Sequence, residues 1–259
     1  MKHSKHRKHR KHKINYIQII FIIIFILSVL GIGYYLYSTN KEKQEYKELA
    51  NNIEVDTTGD VTEEKTERMV QLEELQKENA DIVAWIEIEG TNISYPILQT
   101  NNNEFYLTHN YKKEKSSGGS LFLDKDFDIV NGSSNYLIYG HRHKQGLMFE
   151  DLMKYAKEDF YKEHTKIKFT TLKEDVAYEI ISVFYSRVYY QDEKDVFRYY
   201  YFVNAENEAE YNNYVEQCKK ASIYDTGVTA EYGEQLLTLS TCEYSQEDGR
   251  FVVVAKKVK

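Results

Sequence analysis

The sequence predicts a mostly β protein, an eight-stranded closed or nearly closed β-barrel carried behind an N-terminal transmembrane helix. Three observations point there. Residues 14–37 run 24 positions without a charged side chain and are Ile- and Phe-rich through Leu30, and about 20 apolar residues suffice for a helix to cross the hydrocarbon core. From residue 80 onward the chain breaks into eight short runs with two-residue alternation or β-branched and aromatic enrichment, separated by Gly, Asn and Ser clusters. Few helical periods intervene, which is the pattern of a barrel.

The tail, residues 1–13, holds seven Lys or Arg and no acid, with His at positions 3, 6, 9 and 12. A basic flank stays in the cytoplasm and sends the chain beyond the span outside, which gives a single-pass type II topology. A His-rich tract can bind metal, but basic residues outnumber these histidines and no acid or Cys joins them. A topology signal that also touches anionic lipid is expected instead. A cleavable signal peptide would have a shorter apolar region, roughly 7–15 residues, before a small-residue cleavage site. Here Gly31-Ile32-Gly33 leads into Tyr34-Tyr35-Leu36-Tyr37, an aromatic belt for the far interface, so residues 14–37 read as an uncleaved anchor. Removing the seven tail residues from 34 basic side chains leaves 27 against 41 acidic, a net of −14 for the body. Nucleic-acid binding asks for a basic stripe and is excluded on that ground.

Residues 38–60 are polar without a sustained apolar period and are expected to form an extracellular stalk. The remainder, 61–259, is long enough for one domain with a proper core. Thr62 is placed to cap a helix on which Met69, Leu72 and Leu75 share a face, ending before Asn79. Strands are expected near 83–88, 93–97, 119–123, 135–140, 166–171, 176–190, 235–241 and 251–257. One long helix, 205–222, interrupts them between the sixth and seventh strands, started by Asn204 with acidic residues in its first turn. Cys218 falls on the apolar face of that helix with Tyr211, Tyr214, Val215 and Ala221, as a buried core thiol. Two cysteines are too few for an oxidised scaffold, and Cys242 is left to be explained.

The run Tyr136-Leu137-Ile138-Tyr139 followed by Gly140-His141 describes a strand that leaves the core and delivers an imidazole at its end. A second strand, Leu236 to Thr241, ends on Cys242. A polar turn follows, and Arg250 opens the run Phe251-Val252-Val253-Val254-Ala255. A hairpin of that loop length sets Cys242 beside Arg250. A cysteine attacks as thiolate, and either a nearby cation lowers its pKa or a neutral imidazole takes its proton. The sequence leaves both schemes open. Attack on an amide creates an oxyanion that a fixed Arg can stabilise, and a protonated His can donate to the leaving amine.

From about residue 79 to the C terminus the chain resembles the sortase family, and its class B branch in particular. The matching stretches run from Trp85 to Gln99, Asn103 to Leu107, Gly119 to Asp124 and Tyr139-Gly140-His141, and end with Thr238-Leu239-Ser240-Thr241-Cys242 followed by Arg250. The last is the most specific. The resemblance implies a sortase-type barrel of eight strands with the late helix that marks class B. It also implies His141 as acid/base, Cys242 as nucleophile, and Arg250 binding substrate and oxyanion. Ser240 and Glu243 match positions that contact substrate in relatives, and Tyr139 is grouped with them as substrate-binding. The implied activity is that of a Gram-positive membrane-bound cysteine transpeptidase. Such an enzyme cleaves a C-terminal sorting signal of the Asn-Pro-x-Thr-Asn or Asn-Pro-x-Thr-Gly kind after Thr, then passes the surface protein from a Cys thioester to an amine of peptidoglycan precursor or pilin. No metal or organic cofactor is implied. His143 departs from the relatives' pattern; the Gly-His pair carries the match, so His141 is preferred.

Three other functions use the same residues. A zinc site of His141, His143 and Cys242 would give a metallohydrolase, although Arg250 beside the thiol would oppose the cation. A cysteine endopeptidase would resolve the thioester with water. A surface receptor or adhesin would leave all three residues incidental and both thiols inert.

Overall fold

The computed structural model describes residues 16–51, 65–143 and 145–258. The expected basic tail with its histidines, the Thr62 cap and the second half of the expected stalk lie outside these. The chain divides into two compact units, one ending at Glu42 and one beginning at Lys43.

In the first unit, α1 (Tyr16–Asn51) begins as an apolar helix whose span window has a mean hydropathy of 2.7 and buries none of its surface in protein. In its Ile-rich stretch the Ser28 hydroxyl donates back to the Ile24 carbonyl at 2.8 Å, so that polar group is satisfied within the helix. The helix does not stop at Tyr37. Lys41 through Ala50 are mostly good helix formers, and in the second unit Tyr46, Leu49 and Ala50 make a short apolar face packed on the core. The Tyr46 ring meets Tyr95 edge-on at 5.1 Å. Three apolar residues among charges are too few to register as a period, which is why residues 38–51 read as stalk.

The helix α2 (Glu67–Glu78) starts at Thr66, whose hydroxyl accepts from the Met69 N–H, and buries Met69, Leu72 and Leu75 as the spacing requires. Then come β1 (Ile82–Glu87), β2 (Ser94–Leu98), β3 (Leu121–Leu123), β4 (Asn135–Gly140), β5 (Arg142–His143) and β6 (Leu147–Met148). They are followed by α3 (Glu158–Glu163), β7 (Lys166–Thr171), β8 (Asp175–Arg187), α4 (Glu208–Ala221), β9 (Leu236–Cys242) and β10 (Gly249–Lys257). Among the described residues, eight of the ten strands close a barrel in the order β1-β2-β3-β4-β9-β10-β8-β7. The short β5–β6 hairpin stands apart and was not expected.

The chain begins β3 after Gly119 because that glycine sits at φ 59°, and a Cβ there would lie 2.5 Å from the Tyr106 carbonyl oxygen. The late helix starts at Asn207, which accepts from the Glu210 N–H, and not at Asn204. The Asn204 side-chain oxygen instead accepts from the Ser134 N–H and hydroxyl, tying the loop to the start of β4. As expected, α4 buries Tyr211, Tyr214, Val215 and Cys218, whereas Ala221, also expected on that face, ends the helix exposed.

Two pairings position the site. The strands β4 and β9 run parallel, with Gly140 opposite Thr241, so His141 and Cys242 leave neighbouring strands at one rim. The strands β9 and β10 run antiparallel with Arg250 opposite Cys242. Sulfur, imidazole and guanidinium thus emerge from three adjacent strands.

Candidate active site

Gly140 lets β4 reach the rim. A Cβ there would come within 2.2 Å of Leu121 Cδ2 and 2.7 Å of Phe149, so only glycine lets the strand pass beneath these two side chains and release His141. The ring of His141 is half-buried and held from two sides. Its Nε2 donates to the Leu107 carbonyl at 2.8 Å, which leaves Nδ1 as the basic nitrogen of the neutral ring.

His141 and Cys242 share one cavity wall, and their interaction moves both groups. It is the largest cause raising the His141 pKa above the ordinary imidazole value, with the Leu107 carbonyl adding to it. It is also the largest cause lowering the Cys242 pKa, which the positive charge of Arg250 lowers further against the opposing effect of burial. Both shifts act in the direction of a thiolate facing an imidazolium. The Arg250 guanidinium is anchored through Nη1, which donates to the carbonyls of Gly249 at 2.9 Å and Asp248 at 3.2 Å.

All three side chains line one cavity of about 290 Å³, with Tyr139, Ser240, Thr241, Asn103, Leu107, Phe122, Val188, Tyr199 and Tyr200 completing its wall. Of the expected substrate-binding residues, Tyr139 and Ser240 are on that wall. The Ser240 hydroxyl is buried and shares a 2.7 Å hydrogen bond with the Tyr199 hydroxyl. Glu243 does not line the cavity. Burial alone would push its carboxyl up, but hydrogen bonds from the Ser245 hydroxyl and N–H outweigh that and hold it below the usual range. It shapes the turn after the nucleophile. The next residue, Tyr244, donates to the Arg142 carbonyl at 3.3 Å and lies 5.5 Å from the Arg142 guanidinium, linking that turn to the segment after His141.

His143 is buried in the β5–β6 hairpin and does not line the cavity. Among the described residues no group of three or more His, Cys, Asp or Glu is arranged to hold a metal, so the zinc reading has no ligand set here. Sequence reasoning assigned no role to Leu107, Tyr199 or Tyr200. Leu107 contributes a backbone carbonyl, which no side-chain pattern announces. The Tyr199-Tyr200-Tyr201 run was a visible signal in an otherwise irregular loop.

A thiol lowered by His141 has a measurable signature. Iodoacetamide should modify Cys242 well before Cys218, whose thiol burial pushes up. The apparent pKa of Cys242 alkylation should rise in His141→Ala, because the largest lowering cause is gone while burial remains. Mass mapping of the alkylated peptides across a pH series reads both results. Equal inertness of the two thiols, or an unchanged profile in the variant, would contradict the pairing.

The chain is similar to known proteins. A family model described as the sortase domain matches residues 86–258. Sortase B of Listeria monocytogenes is 37% identical over 194 residues, covering 73% of this chain and 74% of that protein. The Staphylococcus aureus sortase B–substrate complex superposes with a TM-score of 0.73 at 29% identity, over 86% of this chain and 99% of the other. A sortase B complexed with triglycine superposes with a TM-score of 0.72 at 29% identity, over 85% and 99%.

Proposed function

The chain belongs to the sortase family, in its class B branch, and from that premise we propose how this cysteine transpeptidase works and on what. The Cys242 thiolate attacks the carbonyl carbon of the peptide bond after Thr in a sorting signal. A C–S bond forms, and the carbonyl oxygen becomes an oxyanion stabilised by Arg250. The C–N bond then breaks, and the His141 imidazolium gives its proton to the departing amine. The acyl group remains as a thioester. An incoming amine attacks the thioester carbon, His141 takes the amine's proton, and collapse restores the thiolate with a new amide bond. The observation that carries this is the convergence of Cys242, His141 and Arg250 from three adjacent strands on one cavity.

The substrate is a surface protein ending in a signal of the Asn-Pro-x-Thr-Asn or Asn-Pro-x-Thr-Gly kind, and the acceptor is an amine of peptidoglycan precursor or pilin. Relatives solved with a substrate and with triglycine support a peptide donor and an amine acceptor. The enzyme is anchored by the apolar part of α1 as a single-pass type II protein with its barrel outside the cell. The length and hydropathy of that helix support this.

Full-length protein in detergent, incubated with a panel of sorting-signal pentapeptides with and without triglycine, should cleave after Thr and yield the triglycine-ligated product by mass. Cleavage that ignores the amine would favour a hydrolase, and no cleavage of any peptide would remove the proposal.

A further inference from the structure

Asp124 follows β3, is only 4% exposed, and is not part of the cavity wall. Its carboxylate nevertheless reaches two residues that are. Oδ2 accepts from Asn103 Nδ2 at 2.9 Å and from the Tyr139 hydroxyl at 3.0 Å, while Oδ1 accepts from the Asp126 N–H at 2.9 Å. All three donors are neutral and the charge acting on it comes from the exposed neighbour Lys125, so burying this carboxylate is costly unless every bond is kept. The backbone on either side is fixed as well, by the Asp124 N–H on Leu137 O and by Gln99 Nε2 on Asp124 O.

Such a carboxylate dictates polarity. A carboxylate can only accept, so the Tyr139 proton is committed to it, and the phenol oxygen is left only as an acceptor. Asn103 is fixed in the opposite sense. One of its amide protons goes to Asp124 and its carbonyl oxygen accepts from the Lys125 N–H at 2.8 Å, so what it has left is a donor. Two residues of one wall thus have fixed and opposite polarity, the kind of pair that the N–H and C=O of an extended peptide complement.

We propose that Asp124 is a positioning residue that sets the hydrogen-bonding polarity of the peptide-binding wall through Tyr139 and Asn103. This rests on the sortase function proposed above and extends it to recognition of the peptide backbone. Asp124→Asn cannot satisfy the same three donors. With its oxygen toward Tyr139 and Asn103 its amide opposes the Asp126 N–H, and flipped it opposes Asn103.

The test is steady-state kinetics of the full-length enzyme on the best-cleaved panel peptide. Asp124→Asn should raise KM about tenfold while kcat and the Cys242 alkylation rate stay within about twofold, as expected for lost ground-state binding. In a Tyr139→Phe background the same change should raise KM by a smaller factor than it does alone, because one of its two arms is already gone. An unchanged KM, a fully multiplicative double variant, or a parallel fall in kcat and alkylation would each overturn the inference. Should Asp124→Asn fail to fold by its thermal melt, Tyr139→Phe and Asn103→Ala each remove one arm and keep the carboxylate. Each must raise KM severalfold, and unchanged KM in both overturns the inference. A native enzyme that cleaves no panel peptide removes the proposed function and this inference together; an active native enzyme with an unmoved variant removes only this one.

Discussion

Cys242→Ala should abolish peptide cleavage and thioester formation together, a loss on the order of the 10⁶-fold seen when a nucleophile is deleted from a unit of cooperating catalytic groups. No other group on the cavity wall can replace the sulfur. Ser240 sits two residues away on the same strand, but its hydroxyl is buried and shared with Tyr199. Cys218 lies on the inner face of α4 with its thiol raised by burial. Peptide mapping by mass after incubation with substrate reads both losses. Fold integrity is expected to survive, since replacing a half-buried thiol with a methyl removes one atom. Turnover retained in the variant would place the nucleophile elsewhere.

Arg250→Ala should lower kcat/KM by about 10²–10³, some 3–4 kcal/mol, the usual cost of losing one preorganised oxyanion donor. Part of the loss is indirect. Arg250 also helps lower the Cys242 pKa, so the variant's alkylation profile should shift to higher pH. A purely oxyanion role would leave that profile in place, and the two contributions therefore separate. Arg250→Lys should recover only part of the rate. A lysine restores the charge, but not the planar fork that anchors one nitrogen on Gly249 and Asp248 while the rest faces the cavity. Loss of kcat/KM below about threefold in the alanine variant would remove Arg250 from the transition state.

Much of this was legible before any coordinates. The eight barrel strands announce themselves because each alternates or enriches β-branched residues between turn clusters. The strand-end positions of His141, Cys242 and Arg250 follow from where those runs stop. Pairing across β9 and β10 is local, so a short polar turn was enough to bring Cys242 and Arg250 together. The parallel pairing of β4 with β9 is different. It joins segments about a hundred residues apart, and nothing in either strand names the other as its neighbour, so His141 could be assigned to the site only through family resemblance.

Three details were out of reach for physical reasons. Helix α1 continues to Asn51 because Tyr46, Leu49 and Ala50 find the core, which is tertiary packing overriding a polar composition. Asn204 does not cap the late helix because its side-chain oxygen is taken by Ser134, and Asn207 caps it instead. The bonds by which the Glu243 carboxylate accepts from Ser245 depend on the turn's backbone conformation, which its charge alone does not announce.

The most direct measurement is the intact mass of the full-length enzyme mixed with a cleavable sorting peptide in the absence of amine. A covalent adduct equal to the peptide through its Thr, mapped to Cys242 and discharged when triglycine is added, is the expected result. Turnover with no adduct, or an adduct on any other residue, would contradict it.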